Sequence, residues 1–159
     1  MEYIVKEIVE RLIGCNKKIS TMESCTGGGI ATAITDIEGA SEVFCFGAVT
    51  YSNEYKIKMG VSKDTIDKYS VYSMEVAKEM SKCISIYTAS NYGIGVTGKL
   101  NRIDKNNLYG KDNIVYISIY DRDNDIYYNN VLEVDLSSRS ENKNLVINEV
   151  IDMLDKIIK

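Results

Sequence analysis

The segment Ser20–Ile34, STMESCTGGGIATAI, sets Ser24, Cys25 and Thr26 directly before three consecutive glycines and then enters a run of small apolar residues. KIST, ending at Thr21, reads as a short strand, and the residues from Gly28 to about Asp36 read as a helix. A strand that passes through small residues into a helix turns backbone N–H groups outward at the helix start, where the aligned peptide dipoles favour an anion. Glycines there let a ligand approach the backbone closely. The spacing matches neither GxxxxGK[ST] nor GxGxxG, so the two common phosphate-loop patterns are absent. A hydroxyl in such a turn can serve as a nucleophile while neighbouring N–H groups hold an oxyanion. A tight turn with Ser24 or Thr26 as a helix cap accounts for the same residues without any ligand.

On the N-terminal side, Ile4, Ile8 and Leu12 recur on one helical face with Val5, Val9 and Ile13 beside them, and Gly14 and Asn16 supply the stop. On the C-terminal side, SEVFCFGAVTYS has the β-branched and aromatic content of a buried strand, and NEYKIKMG reads as a short helical turn. Ser62 with Asp64 marks a further helix start, and Ser73 opens a longer helix whose Val76, Met80, Ile84 and Tyr87 form a stripe. YGIGVTG is a strand, and the polar stretch KLNRIDKNNLYGKDN after it is a long loop. IVYISIY and IYYNNVLEVDL form a hairpin through DRDND. Ser138 and Glu141 fit a capping box for a last helix with Ile147, Val150, Ile151, Leu154 and Ile158 on one face. Interleaved helices and strands closed by a hairpin predict an α/β fold, a mixed sheet with helices on both faces. No repeat or linker divides the chain, so residues 1–159 are expected to form one domain.

Composition narrows the chemistry. The 159 residues carry a net charge of −4, without the basic footprint that nucleic acid requires. There is no histidine, which removes His-based triads and His-ligated zinc, and leaves lysine, tyrosine or a carboxylate as the base for acyl transfer. Proline is absent too, so sharp turns fall to Gly, Asn, Asp and Ser. Cys15, Cys25, Cys45 and Cys83 are scattered without a CxxC pair, and no apolar run is long enough to span a bilayer. A cytoplasmic protein with no metal and no membrane partner is the expectation.

Two further clusters bear on function. TYSNEYK, Thr50 to Lys56, offers Tyr51, Ser52, Asn53 and Lys56 within one turn. A desolvated lysine can act as a base, so a Ser–Lys arrangement is the open route to a serine nucleophile without histidine. A solvated lysine beside an asparagine cap reads equally well from the same residues. The other cluster is GVTG, whose Thr97 and Gly98 stand at a strand end, where ligands lie in open α/β sheets. Cys25 beside Ser24 is either a thiol activated by the turn or a small buried residue.

These motifs, in this order, resemble the C-terminal domain of the competence/damage-inducible protein A (CinA) family, which also occurs alone as nicotinamide-nucleotide amidase. The likeness runs through ESCTGG at Glu23–Gly28, Gly39-Ala40-Ser41, Gly47 to Lys56 with its YSN and lysine, Met59-Gly60-Val61, VYSMEVAKEM and GVTG. Arg139 is similar to the first arginine of the family's R-x-x-x-R, with Lys143 in place of the second. The chain departs from the family after GVTG. Where the family continues with a glycine-rich, proline-containing loop, this chain has KLNRIDKNNLYGK, residues 99–111, with Lys99 and Arg102 placed to bind a phosphate by side chain.

The resemblance implies a three-layer α/β/α sandwich and an amidohydrolase that deamidates nicotinamide mononucleotide to nicotinate mononucleotide and ammonia, in a homo-oligomer without a cofactor. It assigns Ser24 as nucleophile, Lys56 as its base and Tyr51 to the catalytic set. Thr26, Gly27, Gly28, Asn53, Thr97 and Gly98 are implied to bind the pyridine nucleotide. The rewritten loop supports a second expectation, a non-catalytic nucleotide-binding or regulatory module of the same fold.

Overall fold

The protein, described over residues 1–159 by a computed structural model, contains six α-helices and five strands. In chain order they are α1 (Glu2–Gly14), β1 (Ile19–Glu23), α2 (Gly29–Thr35), β2 (Phe44–Val49), α3 (Asn53–Lys58), α4 (Lys63–Tyr69), α5 (Met74–Thr88), β3 (Tyr92–Gly98), β4 (Ile114–Asp121), β5 (Ile126–Glu133) and α6 (Arg139–Ile157), with a 3-10 turn at Ala40–Glu42. The strand order is β2-β1-β3-β4-β5. β1 runs parallel to both β2 and β3, and β3, β4 and β5 are antiparallel, so the sheet is mixed as expected.

Alternation along the strands divides the side chains between two helical layers. Ile19 of β1, Tyr92, Ile94 and Val96 of β3, and Val115, Ile117 and Ile119 of β4 face α1, α2 and α6 in a core of 26 buried residues. The opposite face gives Met22 to a core of seven that includes Val76, Met80 and Ile84 of α5. The smaller core reflects how close α5 lies to the sheet. A Cβ on Gly93 would overlap the Ser81 carbonyl oxygen, and one on Gly95 would overlap the Ala77 carbonyl and lie 2.6 Å from the Ser81 nitrogen. The glycines of YGIGVTG thus replace side-chain packing with backbone proximity.

Caps set the helix starts. The Ser73 hydroxyl accepts from the Val76 N–H at the head of α5 (3.3 Å). Ser138 and Glu141 form the expected capping box on α6. No helix is long and apolar enough to cross a membrane.

Three expectations are corrected. The strand within SEVFCFGAVTYS is not buried: it is the sheet's edge, paired on one side only, and Cys45, Phe46, Gly47 and Val49 are exposed. Apolar composition reports strand propensity, whereas burial depends on strand order, which composition does not carry. Tyr87 leaves the buried stripe of α5 and packs on Phe46 of that edge, ring centroids 5.4 Å apart. Neither Ser24 nor Thr26 caps α2. The N-cap is Gly28 at φ 94°, without a side-chain bond, and the capping group comes from β1.

Candidate active site

That capping group is Glu23, the last residue of β1. Its carboxylate is buried and accepts from the Thr26 hydroxyl (2.6 Å) and from the N–H groups of Ile30 (2.9 Å) and Ala31 (3.0 Å). A charged acceptor on orphan helix donors is among the stronger local ties available to a backbone. It clamps the 24–28 turn between strand and helix, and the Ser24 N–H anchors the turn on the other side by donating to the Val96 carbonyl of β3 (3.1 Å). Ser24 is thereby fixed at the carboxyl ends of the parallel strands, where an open α/β sheet leaves its crevice.

Lys56 arrives from the connection after β2. Ser52 caps α3 by accepting from the Tyr55 N–H (3.3 Å), and the helix directs Lys56 inward until it is 2% exposed. Its Nζ stands 3.0 Å from Ser24 Oγ and 2.6 Å from the Thr50 carbonyl oxygen. Burial pulls the lysine from 10.5 down to about 8, against the opposing influence of Cys25 and Asp104. A neutral amine at this position donates one N–H to the Thr50 carbonyl, which leaves its lone pair for the Ser24 hydroxyl proton. In its neutral form, a lysine so placed can take the proton of an adjacent serine.

The cavity in front of this pair has a volume of about 500 Å³. Its walls include Cys25, Tyr51, Asn53, Tyr72 and Gly98, several residues of the loop after β3, and Arg139 at the start of α6. Four cations reach it (Lys56, Lys99, Arg102 and Arg139) and one carboxylate, Asp104. Lys99 is buried 3.3 Å from Asp112 and lies over the Tyr72 ring, 5.0 Å from its centroid. Arg102 and Arg139 form no ion pair, so two guanidiniums are available to an anionic ligand.

The structure sorts the residues singled out from sequence. Ser24, Lys56, Tyr51, Asn53 and Gly98 meet at the cavity; Thr26, Gly27, Gly28 and Thr97 do not line it. The Thr26 hydroxyl is committed to Glu23, and the Gly27 N–H donates to the Ser24 carbonyl (3.0 Å). Thr97 is fully buried and donates to the Val71 carbonyl (3.0 Å), because its position in β3 points it toward α5. The N–H groups of Cys25, Thr26 and Gly28 donate to no protein group, and of these three residues only Cys25, next to Ser24, lines the cavity, where its N–H can meet an oxyanion. Tyr51 is 62% exposed and its phenol oxygen accepts from Arg139 (2.7 Å), with no bond to Ser24 or Lys56. It stands on the cavity wall, tied to Arg139. Cys25 is the small buried residue of the two readings, with burial pushing its thiol up to about 12.

Sequence reasoning missed Glu23 as the brace of the turn, Tyr72, and the loop residues Asp104 and Asn107. Glu23 was legible in principle, three residues before a threonine and seven before a helical N–H. The others form a network that no spacing announces. The Tyr72 hydroxyl and Asn107 Nδ2 (3.0 Å) both donate to Asp104, and Asn53 Nδ2 donates to Asn107 Oδ1 (3.2 Å). This part of the cavity wall is thus built from side chains.

Known proteins agree with the fold. The family model described as the CinA C-terminal domain matches residues 1–158. A Clostridium botulinum (strain Loch Maree / Type A3) protein named "Putative competence-damage inducible protein" is 36% identical over 159 residues, covering 98% of this chain and 37% of that protein. One of the same name from Clostridium perfringens (strain SM101 / Type A) is 44% identical over 99 residues, 61% of this chain and 24% of that protein. The chain thus spans about a quarter to a little over a third of the length of these curated relatives. Among solved structures, the competence/damage inducible protein CihA from Agrobacterium tumefaciens superposes with a TM-score of 0.89 at 27% identity, covering 99% of this chain and 95% of that one. A CinA superfamily protein from Enterobacter cloacae shares the fold at a TM-score of 0.90 and 18% identity, over 99% and 92% of the two chains.

Proposed function

This chain belongs to the CinA C-terminal domain family, and from that premise we propose that it is an amidohydrolase that converts nicotinamide mononucleotide to nicotinate mononucleotide and ammonia. The observation that carries the proposal is Lys56 Nζ at 3.0 Å from Ser24 Oγ, with burial pulling the lysine down to about 8. A lysine retained only for packing has no need to meet a serine at the mouth of a polar cavity.

The chemistry follows from the arrangement. Neutral Lys56 takes the Ser24 proton as Oγ attacks the carboxamide carbon. The negative charge that develops on the carbonyl oxygen is met by the free N–H of Cys25. The Lys56 ammonium then returns its proton to the departing nitrogen, the C–N bond breaks and ammonia leaves. A water molecule, deprotonated by the same lysine, attacks the Ser24 ester and releases the carboxylate with Ser24 restored. The ammonium generated in the first step keeps the Thr50 carbonyl as a partner throughout, so the base is not displaced between half-reactions. The substrate's phosphate would find Arg102 and Arg139 at the cavity wall.

Ammonia release from nicotinamide mononucleotide, wild type beside Ser24→Ala, tests the proposal. Turnover in the wild type that falls at least about a thousandfold in the variant is expected. Undiminished turnover in Ser24→Ala refutes the nucleophile. Binding of the nucleotide by a folded wild type without turnover supports the non-catalytic module instead.

A further inference from the structure

The cavity's charges are unevenly assigned: every ionised side chain that lines it is a cation except Asp104. A lone carboxylate among cations is costly to keep beside a site for an anionic phosphate, because it repels that ligand. The protein nonetheless holds it firmly. Tyr72 OH, Asn107 Nδ2 and the Asn106 N–H (2.9 Å) all donate to Asp104, and through Asn107 it is tied to Asn53, one helical turn before Lys56. Burial works to raise the Asp104 carboxyl, but these donors win and hold it below the ordinary carboxylate range, so it stays charged at neutral pH. Its field reaches the catalytic end of the cavity, where it favours the Lys56 ammonium. Arg102 and Arg139 have no ion-pair partner and are open to a phosphate, while Asp104, hydrogen-bonded only to neutral donors, keeps an unbalanced negative charge that can answer a positive one.

We propose that Asp104 is a specificity-determining residue that selects amide substrates whose ring is cationic, such as the pyridinium of an oxidised nicotinamide nucleotide, over neutral-ring analogues of the same shape. The inference rests on the amidase reading for the identity of the nucleotide, but concerns charge recognition and not turnover. A carboxylate facing the ring discriminates by charge alone, so removal of the ring's positive charge removes the attraction and leaves the remaining contacts. Tyr72 presents an aromatic ring to the same space, and its proton, held by burial and by Asp104, keeps it a neutral donor.

The probes are nicotinamide mononucleotide and its reduced dihydropyridine form, titrated calorimetrically into Ser24→Ala so that nothing is consumed. The expected result is tighter binding of the oxidised form by about tenfold or more. Asp104→Asn, which keeps an acceptor for Tyr72, should bring that ratio to within about threefold, with the oxidised form losing its advantage and the reduced form, relieved of the repulsion on its phosphate, binding no more weakly than before. Equal binding of the two forms by the Asp104-containing protein overturns the proposal without use of any further variant. Equal weakening of both by Asp104→Asn also overturns it, assigning Asp104 to loop structure. Preference for the oxidised form without ammonia release by the wild type sinks the amidase reading and leaves this one standing. Ammonia release without preference does the reverse.

Discussion

Replacement of Lys56 by methionine should stabilise the fold while it removes the base. In the native state the lysine titrates near 8, and in the unfolded chain near 10.5. The sign follows from proton counting. Below about pH 8 both states hold the proton and the native state carries the full cost of a buried ammonium. Between 8 and 10.5 the unfolded chain holds more protons, so stability rises with pH, and above 10.5 the cost is gone. A difference of about 2.5 units corresponds to about 3 kcal/mol at pH 7, falling to about 1 kcal/mol at pH 10. Against this, methionine forfeits the bonds to the Thr50 carbonyl and Ser24, which is worth about 1–2 kcal/mol and does not vary with pH in the same way. The net expectation for Lys56→Met is about 1–2 kcal/mol of added stability at pH 7, and about 2 kcal/mol less advantage at pH 10 than at pH 7. Urea unfolding of both proteins at the two pH values reads this directly, since ionisations elsewhere cancel in the difference. With a urea slope of about 2 kcal/mol/M, the midpoint gap between variant and wild type should close by about 1 M. A gap that is the same at both pH values would refute the buried, depressed lysine and with it the base assigned to Ser24.

Other expectations follow from the same geometry. For the amidase reaction, log kcat/KM should climb with a slope near one up to about pH 8 and then level, as Lys56 must be neutral to accept the proton; a profile flat from pH 6 to 9 would exclude it as the base. Gly95→Ala should cost about 2–3 kcal/mol in urea unfolding, because its Cβ overlaps the Ala77 carbonyl and α5 must move to admit it; an unchanged midpoint would contradict the close approach of α5. Under native conditions at pH 8, iodoacetamide should label the exposed Cys15 and Cys45 and spare Cys25, whose thiol is buried and held up near 12; peptide mass mapping decides it, and rapid labelling of Cys25 would reopen a thiol at the centre of the site.

What could be read from the sequence was what depends on neighbours in the chain. The stripe on α1, the Ser73 cap and the Ser138–Glu141 box are set by residues within one or two turns, and each stands where periodicity and capping placed it, except that Ile13 at the end of α1 is exposed. What depended on strand order could not be read: the exposure of Phe46 and Val49 comes from β2 having a neighbour on one side only. At the site, the pairing of Ser24 with Lys56 was expected from the absence of histidine and from family likeness, and its distance is a product of two separate connections converging at the carboxyl ends of β1 and β2. The side-chain bonds that took Thr26 and Thr97 out of the cavity were invisible, since their acceptors, Glu23 and Val71, are not marked by any pattern as acceptors. Asp104 and Asn107 sit in a stretch without periodicity, where only coordinates reveal a partner.

The loop that carries Asp104 leaves β3 at Gly98 and returns to β4 at Ile114, two strands already zipped together from Tyr92↔Asp121 to Gly98↔Val115, with the Lys99 N–H still bonded to the Ile114 carbonyl (3.1 Å). Its ends are thus stapled side by side whatever lies between them, while Ser24 and Lys56 are held by other connections altogether. A stretch anchored this way can lengthen, shorten or change its side chains without moving the Ser24–Lys56 pair. That makes it an exchangeable cassette: its grip, built here from Asp104, Asn107 and Arg102, can be refitted while the Ser24–Lys56 pair keeps its place.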